Sequence, residues 1–231
     1  MKKDQAIKVS AVGILYVLAG VILSYTVSLE LRPEHPANNF IRVQWALIFI
    51  AVLTAATVIA WKSTTCNQIR HALMKSYTCG LLLYYLFAVL GLLFFSKDLA
   101  HFHQIADQEE YMERYVTLIP FETYQQMFSQ YESDVLALRD SVILFAGRFA
   151  AFLPLGILLL VLIRALRHFW RYTLVLSGII ILVEILQFSF YLGSVTLDAI
   201  VLNVLGAEFA YLTFWNPLVQ KFLRKYDFIE T

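Results

Sequence analysis

Six side chains able to do chemistry stand where a membrane protein would least tolerate them. Arg148, Glu184, Gln187, Asp198, Asn203 and Glu208 all fall in residues 147–211, a stretch of three apolar runs each about long enough to span a bilayer. A charged side chain at mid-bilayer costs about 2.5 to 3.5 kcal/mol on insertion scales, so such groups are expected to pair or to line a wet cavity. A guanidinium and a carboxylate can form an interhelical ion pair, with the amides as interhelical hydrogen bonds. The same set can also hold a polar group presented from outside, and the two roles are compatible. Glu184 and Gln187 are three residues apart and share a helix face.

The elements that must position these groups follow from composition. Hydrophobic residues make up 60% and charged residues 15% of the 231 positions, which excludes an ordinary soluble domain. Without water in the hydrocarbon core the backbone must be satisfied internally, so the spans are helices. Apolar runs occur at 8–29, 43–61, 78–96, 142–163, 172–192 and 197–215, which predicts an all-α, multi-pass bundle of six transmembrane helices. The first run is too long for a signal-peptide core and leads into ELRPEHPANN rather than a small-residue cleavage site.

Lys and Arg set the orientation. Lys2, Lys3, Lys8; Lys62, Arg70, Lys75; Arg164, Arg167, Arg171; and Lys221, Arg224, Lys225 mark alternate ends as cytoplasmic, whereas the opposite ends hold only Arg32, Arg42, Lys97, Arg114 and Arg139. Both termini are therefore expected inside. With that topology Arg148, Glu184 and Asn203 all lie about 9 to 12 Å below the outer surface, at about 1.5 Å of rise per residue.

In FLPLG, Pro154 removes a backbone donor and predicts a kink below Arg148, with Gly156 beside it. On the last span Ala199, Asn203, Gly206 and Ala210 form a small-residue stripe that lets a neighbouring backbone approach. Thr196 or Asp198 is suited to cap that helix. The long connection 97–141 is acidic and aromatic, and Tyr124, Phe128 and Tyr131 recur at helical spacing within it. Cys66 and Cys79 are read as packing residues, and His101 and His103 lack further ligands nearby, so neither a metal nor any other cofactor is expected. The basic residues are dispersed among loops, which excludes a nucleic-acid surface.

TLIPF at 117–121, GRFAAFLPLG at 147–156, VEILQ at 183–187 and GSVTLDAIVLNVLGAEFAY at 193–211 together resemble, in order and spacing, the VanZ-like family, named for a protein associated with teicoplanin resistance in Gram-positive bacteria. Pro154 and Gly156 match the family's proline and glycine element, Glu184 and Gln187 its Glu-x-x-Gln, and Asp198, Asn203 and Gly206 part of its Asp-Asp-x-x-x-Asn-x-x-Gly segment. Thr196 and Ala199 stand where the family usually has aspartates, and Arg148 where it often has asparagine. The resemblance divides the chain into two additional helices at 1–77, a VanZ-like domain at 78–215 and a basic cytoplasmic tail at 216–231.

The resemblance implies a cell-envelope role in the cell membrane, with lowered glycopeptide susceptibility as its expected outcome. Besides the bilayer, the implied partners are a lipid-linked wall precursor, a surface lipoprotein or the glycopeptide itself. An intramembrane enzyme with Glu184 as general base is the alternative, but Ser177 and Ser189 have no nearby histidine and His168 sits at the opposite end, so no recognised catalytic set is present. An accessory subunit of an envelope complex fits the small-residue seam as well. A transporter lacks its usual pair of Gly/Pro-interrupted segments in matching halves.

Overall fold

Long apolar segments that must bond their own backbone give helices almost throughout, and the computed structural model describes residues 2–30, 39–94, 108–117, 119–122, 135–192 and 194–229. In chain order these are α1 (Lys2–Glu30), α2 (Asn39–Ser63), α3 (Asn67–Phe94), α4 (Gln108–Tyr115), β1 (Val116–Thr117), α5 (Val135–Ala151), α6 (Leu153–Leu162), a 3-10 turn at Arg164–Arg167, α7 (Phe169–Ser189), β2 (Val195–Thr196), α8 (Leu197–Phe214) and α9 (Pro217–Lys225). Five stretches among the described residues are long and apolar enough to cross a membrane: Ile41–Ser63, Asn67–Gly91, Phe145–Leu162, Phe169–Ser189 and Leu197–Phe214; Val12–Ser28 in α1 is a shorter apolar stretch. The chain is an all-α multi-pass membrane bundle. Leu174, Leu182, Ile185, Leu205 and Leu212 are exposed along these helices, as side chains facing lipid would be.

The chain forms two compact units, one of residues 1–95 with 217–231 and one of 96–216. In the first, Ala19, Ile22, Phe49, Leu53 and Tyr84 make the core, with the Phe49 and Tyr84 rings stacked 4.4 Å apart. Hydroxyls buried in this apolar setting bond one another or the preceding turn: Tyr16 to Thr57 at 3.2 Å, Thr54 to Tyr77 at 3.0 Å, and Thr78 to the Met74 carbonyl at 2.9 Å. The tail folds back onto the α2–α3 turn. Trp61 Nε1 donates to Asp227 Oδ2 at 3.0 Å, and His71 Nδ1 donates to the Asp227 carbonyl at 2.7 Å. Cys66 and Cys79, expected to pack, are both exposed; neither contributes to a core.

In the second unit α8 lies against α5, α6 and α7. Its buried face, Asp198, Ala199, Leu202, Asn203, Gly206, Ala207 and Ala210, contains the whole expected stripe. The helix carrying Pro154 breaks at Phe152 (φ −98°, ψ −1°) and resumes as α6. Gly156 must be small because a Cβ there would meet the Tyr172 hydroxyl, which donates to the Ala207 carbonyl at 2.6 Å.

Candidate functional site

The buried face of α7 runs Tyr172, Leu176, Ile180, Glu184 at intervals of four, so Glu184 occupies a position that helix geometry reserves for an apolar residue. It is 6% exposed, and its Oε2 has no hydrogen-bond partner among the described residues. A buried carboxylate oxygen left in this way is costly unless something else approaches it. Arg148 on α5 is within electrostatic reach of it.

The guanidinium is also anchored elsewhere. Arg148 Nη1 donates to Thr196 Oγ1 at 3.0 Å and Nη2 to Ser194 Oγ at 3.3 Å. Thr196 is the N-cap of α8, and the same Oγ1 accepts from the Ala199 N–H at 3.1 Å. One hydroxyl with two lone pairs thus ties α5 to the start of α8. Asp198, in the first turn, is 4% exposed, and its Oδ1 accepts from the Phe121 N–H at 2.8 Å. Phe121 has φ of 65°, a left-handed conformation that is costly for a large residue and is held here by that bond.

That contact brings part of the acidic connection onto the site. β1 pairs in parallel with β2, Val116 with Val195 and Thr117 with Thr196. α4 then puts Tyr111, fully buried, against Tyr191 (ring centroids 5.0 Å, 85°) and Phe188 (6.2 Å). Burial first, and then the charge of Glu184, push the Tyr111 hydroxyl above the ordinary tyrosine range. In the unfolded chain this phenol loses its proton near pH 10, whereas the folded chain holds it longer. Its contribution to stability is therefore complete below about pH 10 and is lost as pH rises through the raised folded value. Tyr111→Phe should flatten the alkaline limb of stability against pH, measured by unfolding in detergent, while leaving the neutral range flat.

Of the residues expected to act together, Arg148, Thr196 and Asp198 are joined through α8's first turn, and Glu184 lies near Arg148 and Tyr111. Asn203, 7% exposed, has Oδ1 without a hydrogen-bond partner among the described residues. Gln187 is half-buried, and its carbonyl accepts from the Leu192 N–H at 2.8 Å. Glu208 is not part of this group. It lies toward the other end of α8, where Tyr211 bonds the Arg167 carbonyl at 2.9 Å. No local sequence signal marks Tyr111 or Ser194, and Tyr124, Phe128 and Tyr131, at helical spacing, lie outside the described residues, as do His101 and His103. Among the described residues no three His, Cys, Asp or Glu side chains gather as metal ligands would.

A bundle of lipid-facing helices enclosing a small buried polar cluster defines a multi-pass membrane protein. Its residues 81–220, more than half the chain, match the family described as VanZ/LLP1, and the protein belongs to that family. Neither curated proteins nor solved structures give a match.

Proposed function

We propose that this protein lowers susceptibility to glycopeptide antibiotics such as teicoplanin by binding or altering an envelope component at the polar cluster of α5, α7 and α8. In this reading both termini are cytoplasmic, the cluster opens from the outer leaflet, α1 and α2 are additions to a VanZ-like domain at 78–215, and 216–231 is a basic inner tail. Lys and Arg segregation supports the orientation. The observation that carries the site is Glu184, a buried carboxylate whose Oε2 has no hydrogen-bond partner among the described residues and which lies near Arg148 and Tyr111. A buried acceptor of this kind suits a donor supplied by a ligand, such as the amine, amide or hydroxyl of a lipid-linked wall precursor, a surface lipoprotein or the antibiotic. Arg148, Gln187, Asp198 and Asn203 complete the candidate contacts.

The test is teicoplanin susceptibility of a sensitive Gram-positive host expressing wild type, Glu184→Gln or Asn203→Ala, with membrane abundance followed for each. Glu184→Gln keeps shape and removes charge, so it should return susceptibility to that of the host alone at undiminished abundance. Full protection by both variants at wild-type abundance would sink the proposal.

A further inference from the structure

The first unit contains a cavity of about 230 Å³ with no part in the polar cluster. Val58 and Trp61 of α2, Met74 and Tyr77 of α3 and Phe222 of α9 form its walls, with Lys62 at its edge. Most of the polar groups that line it are already used: Thr54 bonds Tyr77, Thr57 bonds Tyr16 and the Leu53 carbonyl, and the Trp61 N–H is given to Asp227. A water needs two to four polar partners, so this space favours an apolar occupant. It is open at the side, since Val58 is 39% and Phe222 56% exposed. By comparison with an apolar cavity of about 150 Å³ that takes benzene, it holds roughly eight to ten carbons, a length of hydrocarbon chain rather than a drug-sized molecule.

Charge selects among hydrocarbon chains. No Asp or Glu occurs anywhere from Asn39 to Phe94 or in α9, whereas Lys62, Lys75, Lys221, Arg224 and Lys225 gather in the segments forming the cavity and its rim. Asp227, the nearby acid, is held by Trp61. α9 itself exposes Leu218 (81%) and Phe222 on one side and ends in Arg224 and Lys225, the make-up of a helix lying in a membrane interface.

We infer that this cavity holds an acyl chain of an anionic phospholipid, with its phosphate drawn to Lys62 and the basic residues of α9. The site is independent of the polar cluster and of any action on glycopeptides. Its test is native mass spectrometry of the full-length protein released from detergent after incubation with phosphatidylglycerol or phosphatidylcholine of identical chains. Wild type should retain phosphatidylglycerol preferentially. Lys62→Gln should reduce that preference about fivefold, the worth of one basic residue at an anionic surface. Val58→Phe, which puts a larger ring into the cavity wall and narrows the space, should lower retention of both lipids. A second readout guards against misfolding: added phosphatidylglycerol should raise the thermal midpoint of wild type and leave that of Val58→Phe unmoved. Equal retention of the two lipids by wild type, undiminished retention by Val58→Phe, or a lipid-free dimer in the spectrum would each overturn the inference.

Discussion

Gly206→Leu is expected to abolish accumulation of the protein in the membrane. A Cβ at Gly206 would run into the Phe149 carbonyl oxygen and stand 2.8 Å from its carbonyl carbon. Those are backbone atoms of α5, not the end of a flexible side chain, so only separation of α5 from α8 relieves the clash. Overpacking a core usually costs about 1 to 3 kcal/mol, and more where nothing can move. Against a total of about 5 to 15 kcal/mol for a domain, this single substitution removes a large share. Separation would also pull Arg148, one residue before Phe149, away from Thr196. Even Gly206→Ala should lower the thermal midpoint clearly. Gly178 supplies the control, because a Cβ there meets nothing within 4 Å. Gly178→Ala should be neutral or stabilising by up to about 1 kcal/mol, as removal of a helix glycine usually is. Equal abundance of Gly206→Leu and Gly178→Ala would show that α5 and α8 do not need this approach.

The small-residue stripe was legible in sequence because its meaning is local and periodic: Ala199, Asn203, Gly206 and Ala210 all turn out buried. The break near Pro154 was legible for the same reason, since a missing N–H acts wherever the helix goes. Thr196 was recognisable as a cap from its chemistry, but not as the partner of Arg148. That bond joins residues 48 apart, and no periodicity reports it. The covering segment was hidden by the same limit. Tyr111 stands among many acids in a connection that reads as solvated, and its burial depends on β1 finding β2, a pairing only two residues long. Cys66 and Cys79 depart from the usual burial of free cysteine: both are exposed, Cys66 in the turn between α2 and α3 and Cys79 on the surface of α3.

Arg148→Ala should destabilise the bundle more than Glu184→Ala, with the double substitution between them. Removing Glu184 leaves Arg148 half-exposed and still bonded to Thr196 and Ser194, so the guanidinium keeps partners. Removing Arg148 takes away both of those bonds and leaves a carboxylate on the buried stripe of α7 without its nearby cation. Stranding one member of a buried pair can cost about 3 to 5 kcal/mol, because the remaining charge is uncompensated. Here the arginine is only half-buried, and measured couplings in membrane bundles average about 0.6 and reach about 1.7 kcal/mol, so a coupling toward the upper membrane figure is expected. The double variant relieves the stranded carboxylate but not the loss at Thr196 and Ser194, and its remaining deficit measures the anchoring half of the arginine's role. Reversible unfolding in mixed micelles of the four proteins gives the cycle. Additivity within about 0.5 kcal/mol would mean that the two residues do not support each other. Glu184 would then be a buried acid kept at a cost in stability with no return from Arg148, and a ligand would be the remaining physical reason for its place in the bundle.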